Sequence, residues 1–318
     1  MPTVMNGICQ QRHEYLTGRV ESSGKDVMSQ AIQLRYEWNA VPWRKLERTV
    51  SKLQNRIYQA SDRGNIRQVH RLQRLLVTSQ AAKYMAVRRV SQDNRGKKTA
   101  GVDGKTALTP KERLALVETL GLNKHPQATR RVWIPKPGKS EKRPLGIPVI
   151  ADRAQQALVK LGMEPEWEAK FEPNSYGFRP GRSCHDAIEA IFSSIKNKNV
   201  YVLDADISGC FDNIDHATLL QKLNTNPKVR RIIRDWLKAG VLDNGVFIPT
   251  NKGTPQGGVI SPLLANVALH GMEEDTKEAL LHDLHDWHNQ TKGYGWGRKA
   301  GKATLSIIRY ADGTPVQA

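Results

Sequence analysis

The chain has 318 residues, 39% of them hydrophobic and 25% charged, with no run of 18 or more apolar residues, which excludes a helical membrane span. The first 30 residues lack the apolar core of a secretory signal, and Cys9, Cys184 and Cys210 stand in no ligand spacing, which excludes a disulfide framework or zinc ribbon and points to a reduced, cytoplasmic setting. Lys and Arg number 49 against 31 Asp and Glu, a net charge of +18 that calls for a polyanionic partner, nucleic acid ahead of an anionic membrane.

Residues 1–37 carry little pattern and read as an N-terminal extension. From Trp43 the pattern sharpens, with Leu46, Val50, Leu53 and Ile57 at helical spacing. Gly64-Asn65 breaks that helix. Ile66, Val69, Leu72 and Leu76 begin a second one, expected to run to about Val90. Between Arg44 and Lys98 stand 15 basic and three acidic residues, more excess than a solvated helix face needs. Residues 38–100 therefore read as a basic helical module that contacts a phosphate backbone.

The stretch Ser91–Thr109 reads as a loop and residues 110–125 as a helix. A strand at Arg130–Ile134, a turn framed by Pro135 and Pro137 around Lys136, and a strand at Leu145–Ile147 make a basic hairpin. Helices are expected at 151–170, 183–197, 216–223 and 227–239, and from Ser261 to about Leu281 after the turn Gly253–Gly258. Strands are expected at Val202–Asp206 and at Leu305–Tyr310. Helices alternating with non-adjacent strands predict an α+β fold with helices on one face of a sheet.

Two segments carry the chemistry. Val202-Leu203-Asp204-Ala205-Asp206-Ile207-Ser208-Gly209-Cys210-Phe211 reads as a strand that delivers Asp206 to its end, followed by a turn that presents Phe211. Arg309-Tyr310-Ala311-Asp312-Gly313 delivers Asp312 at another strand end. Two carboxylates on adjacent strands make an oxygen site for Mg²⁺, the ion that drives in-line nucleotidyl transfer. Asp204 lies two residues before Asp206, so both point to one face. Asp206 alone could be a turn or capping residue, but that does not explain the string through Phe211.

These segments resemble the palm of reverse transcriptases, specifically those encoded by group II introns. The resemblance extends to the fourteen-residue string Gly253–Asn266, to the basic hairpin around Arg130-Arg131-Val132-Trp133-Ile134-Pro135-Lys136 and Lys142-Arg143-Pro144, and to Asn174-Ser175-Tyr176-Gly177-Phe178-Arg179-Pro180-Gly181-Arg182-Ser183. It covers roughly residues 38–313, and a retron-type polymerase is the more distant alternative. It implies right-hand fingers and palm over residues 101–318, with Asp206, Asp312 and the Ile207 carbonyl as Mg²⁺ ligands. Lys136, Arg143 and Arg130 would clamp the triphosphate of a dNTP. Phe211 would lie under its sugar, and Gln256 against the base pair. Arg67, Arg71, Arg74, Arg179 and Arg182 would contact RNA, whereas Tyr176 and Phe178 read as core packing ahead of base stacking. Partners implied are intron RNA, an RNA template with a DNA primer, and dNTP, with no membrane.

The sequence departs from the family at its second segment, where Tyr-Ala-Asp-Asp is the rule and Gly313 takes the last place. Thr314-Pro315-Val316-Gln317-Ala318 lacks the pattern of a return strand, and Pro315 has no N–H for a ladder. The resemblance then implies a truncated, catalytically impaired enzyme without a thumb, which a second polypeptide would complete. A non-catalytic RNA-binding maturase remnant is the alternative. His282, His285 and His288, three apart on an expected helix, read as a solvated connector, because that spacing drifts around the helix.

Overall fold

The computed structural model describes residues 37–136, 138, 140–196, 201–279 and 306–311, and the backbone of 313–317. Leu46, Val50 and Ile57 form the buried stripe of α1 (Trp43–Asp62), as their spacing predicts. Gly64, at φ +68°, turns the chain, and the Asn65 side chain accepts from the Gln68 N–H to cap α2 (Ile66–Thr78). The expected continuous second helix instead breaks at Ser79, where ψ is 130°. Helix α3 (Gln80–Arg88) restarts there and passes into a π-helical turn at Arg89–Asp93, which carries helical backbone past Val90 into the expected loop. The new direction buries Tyr84 in an aromatic cluster, its ring 6.1 Å from Trp38 and 6.4 Å from Trp43.

A reciprocal cap starts α4 (Pro110–Thr119): Thr109 and Glu112 each accept from the other's backbone N–H. The central element is α5 (Ile150–Glu168), which packs on α1, α2 and α3. Ala154, Leu158, Val159, Met163 and Trp167 bury almost completely, each large side chain contributing about 1.5–3 kcal/mol. Its buried polar groups act as braces. Arg153 donates to the carbonyls of Pro148, Gly96 and Thr99, and Gln73 donates to Glu166 at 2.6 Å.

Strands β1 (Thr129–Pro135) and β2 (Lys142–Ile147) form the expected hairpin. Further along come α6 (Cys184–Ile195), β3 (Val202–Asp206), α7 (Cys210–Asn213), α8 (His216–Leu223) and α9 (Pro227–Leu237). A second hairpin, β4 (Val241–Asp243) and β5 (Val246–Ile248), turns through Asn244-Gly245 with φ +48° and +86°. That dipeptide is a strong hairpin signal, and the sequence reading passed over it. Parallel pairing of β1 with β4 joins the two hairpins into one sheet, ordered β2-β1-β4-β5.

Helix α10 (Ser261–Leu269) is shorter than expected: the backbone is extended at His270 and left-handed at Gly271, and residues 272–279 are helical again. Its Leu263 and Leu264 join Met163, Trp167, Leu223, Ile232, Ile233 and Leu237 in one core.

The second sheet corrects an expectation. Residues Gly313–Gln317 do form a return strand, β7, which lies between β3 and β6 (Ser306–Ile307) and pairs antiparallel with both. Strand β6 reaches only Val316 and Gln317, so Pro315 has a ladder partner on the β3 side alone, a position that tolerates a missing N–H. The His282, His285 and His288 connector lies outside the described residues. Among the described residues, no helix is long and apolar enough to cross a membrane.

Candidate nucleotidyl-transfer site

Asp206 ends β3 as an exposed carboxylate, with Gly313 its partner across the ladder. Asp312, one residue before Gly313, lies outside the described residues. After Asp206 the chain turns through Gly209, left-handed at φ +58°, and α7 presents Phe211 and Asp212. Phe211 is half-buried on the main core and meets Phe178 edge-on at 6.1 Å. Phe178, expected in the core, is instead half exposed, held at φ +60°.

The string 253–266 is built against that turn. The Thr254 N–H donates to the Phe211 carbonyl at 2.7 Å, and the Gly253 N–H to Ile214 at 2.8 Å. A Cβ on Gly253 would lie 2.8 Å from the carbonyl oxygens of both Phe211 and Asp212, and φ there is +82°. Only glycine permits this approach. Thr254 is buried and donates to Ser261 at the start of α10. Val259 donates its N–H to Gln156 of α5 at 2.8 Å. The Gly146 N–H of β2 donates to the Gln256 carbonyl at 2.7 Å. One loop thereby fixes the hairpin, the Asp206 turn and the central helix to each other.

A buried arginine ties in the last motif. Arg309 is 3% exposed and donates to Asn266 of α10, to the Ala311 carbonyl and to Ser175. Burial pushes its guanidinium pKa down, opposed by the Glu172 carboxylate. The backbones of Arg309 and Ser175 form a parallel bridge, and a Cβ on Gly177 would lie 2.1 Å from the Ala311 nitrogen. Ala311 itself sits at φ +58°. Three blocks far apart in sequence therefore meet at the residue preceding Asp312.

The basic residues divide. Arg67, Arg71 and Arg74 are exposed along α2, where a phosphate backbone can reach them. Arg143 is exposed, without hydrogen bond or ion pair among the described residues. Lys136 at the hairpin tip pairs with Glu141 at 2.7 Å. Arg130 is half-buried and donates its Nε–H to the Ala100 carbonyl, which braces that loop. Arg179 departs furthest from its expected RNA contact: its side chain is 3% exposed, forked onto Glu168 and bonded to the carbonyls of Glu172 and Ser175. It is a structural arginine of that turn. Arg182 lies half-buried over the Tyr176 ring and donates to the Pro173 carbonyl.

The sequence reading missed Arg131 and Lys252. Both line a cleft with Gln256, and the alternation of β1, which turns Arg131 away from the Arg130 face, was the available signal. Among the described residues no cluster of three or more His, Cys, Asp or Glu could hold a metal. Asp206, an exposed carboxylate with no hydrogen-bond or ion-pair partner among the described residues, nevertheless suits a hard cation that keeps waters and substrate oxygens as its other ligands.

Residues 38–120 match the model of the N-terminal domain of reverse transcriptase, and residues 134–316 that of reverse transcriptase (RNA-dependent DNA polymerase). Protein YkfC of Escherichia coli (strain K12) is 33% identical over 268 residues, 76% of this chain and 69% of that protein. Group II intron-encoded protein LtrA of Lactococcus lactis subsp. cremoris is 39% identical over 182 residues, 53% of this chain. The match spans 30% of LtrA's own length. Maturase-like protein 1 of Euglena gracilis is 30% identical over 238 residues, 73% of this chain and 51% of that protein.

Proposed function

The chain belongs to the reverse transcriptase (RNA-dependent DNA polymerase) family, in its group II intron-encoded branch, and from that premise we propose that it binds intron RNA and holds a primed template at the Asp206 turn. Enzymes of this family work with divalent metal ions. Here Mg²⁺ is the proposed ion, and Asp206, the Ile207 carbonyl and Asp312 are its proposed ligands. When bound, the ion would neutralise triphosphate charge and activate the primer hydroxyl.

The observation that carries this reading is the docking of Gly253 and Thr254 on the Phe211 turn beside Asp206. It supports a reading in which a backbone edge and Gln256 would meet the nascent base pair. Phe211, packed against Phe178, would lie under the sugar and exclude a 2′-hydroxyl. Arg143 and Lys136 would meet the triphosphate, Lys136 by leaving Glu141. Residues 38–100 would supply the intron-RNA surface, through Arg67, Arg71 and Arg74. Residues 101–318 would form fingers and palm. Gly313 leaves the second motif one carboxylate short, so the chemical step is impaired and maturase-type RNA binding is the stronger activity.

Binding of structured RNA, titrated with salt, tests this. Affinity falls steeply as salt rises, and neutralising Arg67, Arg71 and Arg74 together lowers the slope by about one per lost phosphate contact. Extension of a primed RNA stays at the level of an Asp206→Ala control. An unchanged slope removes the RNA surface from α2, and extension above that control contradicts the impairment.

A further inference from the structure

A cleft of about 440 Å³ opens between the β1–β2 hairpin, the β4–β5 hairpin and residues 249–256. Alternation along β1 sends Arg131 and Trp133 into it, opposite Gly146 and Pro144 of β2, while Arg143 pairs with Ile134 on the other face. The cleft is thus separate from the face proposed above for the triphosphate.

Its chemistry is specific. Trp133 leaves 47% of its surface in solvent, and its indole N–H is held by the Asp243 carboxylate at 3.3 Å. The Arg131 guanidinium lies 5.6 Å from that ring's centroid. Arg131 forms no ion pair among the described residues, and its buried Nε has no hydrogen-bond partner. Lys252, also in the lining, donates to the neutral Asn213 Oδ1 and forms no ion pair among the described residues. The lining therefore offers a fixed aromatic shelf and two cations with charge to spare.

We propose that this cleft holds one unpaired nucleotide of a nucleic-acid single strand, its base on Trp133 and its backbone phosphate between Arg131 and Lys252. The inference rests on the reverse transcriptase reading, since such an enzyme handles template ahead of the point where it is paired. Charge selects a strand over a free nucleoside triphosphate. Two cations cover the single charge of a phosphodiester, whereas a triphosphate would leave about half of its charge unmatched, beside the Asp212 carboxylate in the same lining. An aromatic shelf accepts any base, because every base has a π face. The volume suits one nucleotide, and Gln256 in the same lining puts it beside the base-pair position proposed above.

The test uses the full chain and a fluorescein-labelled, unstructured RNA octamer at low salt, with the same octamer made abasic and a primed RNA as companion probes. Trp133→Leu is expected to weaken octamer binding about tenfold, and Trp133→Phe to restore most of it. Arg131→Gln should lower the salt slope by about one. The abasic octamer should bind weakly and respond little to Trp133→Leu. Unchanged thermal melts establish that each variant is folded. Octamer binding untouched by Trp133→Leu, or equal loss with the abasic strand, overturns the proposal. Wild-type binding of primed RNA without octamer binding also overturns it and leaves the family reading standing. Binding of neither probe overturns both.

Discussion

Arg309 and Asn266 are hydrogen-bonded at 3.2 Å in the interior, joining the strand that leads to Asp312 to the helix that follows the glycine-rich loop. The same guanidinium holds Ser175 at 2.7 Å and the Ala311 carbonyl. Its hydrogen-bond partners among the described residues are neutral, so it acts as a geometric clamp. Arg309→Met keeps the bulk but strands Asn266, Ser175 and Ala311 without a donor. We expect a loss of about 2–4 kcal/mol, measured as a lower denaturant midpoint. Arg309→Lys, with fewer donors, should lose less.

Gly253→Ala puts a methyl carbon 2.8 Å from two carbonyl oxygens of the Phe211 turn, in a backbone region that L residues rarely adopt. The loop must lift from the turn. A loss of about 2 kcal/mol or more is expected in denaturant unfolding, whereas Gly64→Ala, at a similar φ but with nothing within 4 Å, should cost only about 1 kcal/mol.

Asp152 gives a pH signature. Burial raises its carboxyl to about 6 from an ordinary 3.8, against the hydrogen bond from the Gln127 N–H, and repulsion from Asp103 adds to the rise. A folded-state pKa above the unfolded value means that the native state binds the extra proton between those limits. Stability therefore falls as pH rises from about 4 to about 6.5, by up to about 3 kcal/mol. Asp152→Asn keeps the acceptor and removes the charge. Its denaturant midpoint should decline less across that range than that of the wild type.

Much of the site was legible because its chemistry demands contiguous strings. Asp206 through Phe211 and Gly253 through Asn266 keep their local order in space, so reading them in one dimension lost little. Residues whose role depends on a partner far along the chain were not legible. Arg179 and Arg309 look like any basic residue until Glu168, Asn266 and Ser175 enclose them. The break at Ser79 follows from burying Tyr84 against Trp38, a demand of packing with no glycine or proline to announce it. Strand β7 defied its composition because β3 and β6 supply partners on both sides, and tertiary pairing outweighs intrinsic preference in a sheet. The Asn244-Gly245 turn and the outward phase of Arg131 were there to be read.

The central claim is that a metal-dependent nucleotide site forms around Asp206, and not around its neighbour Asp204 on the same strand. Equilibrium binding of a dNTP to the chain on primed RNA, with and without Mg²⁺, tests it most directly. The account predicts binding that requires the ion, falls about tenfold or more with Asp206→Ala and is little changed by Asp204→Ala. Equal sensitivity to both substitutions, or binding indifferent to Mg²⁺ and to Asp206→Ala, would contradict it.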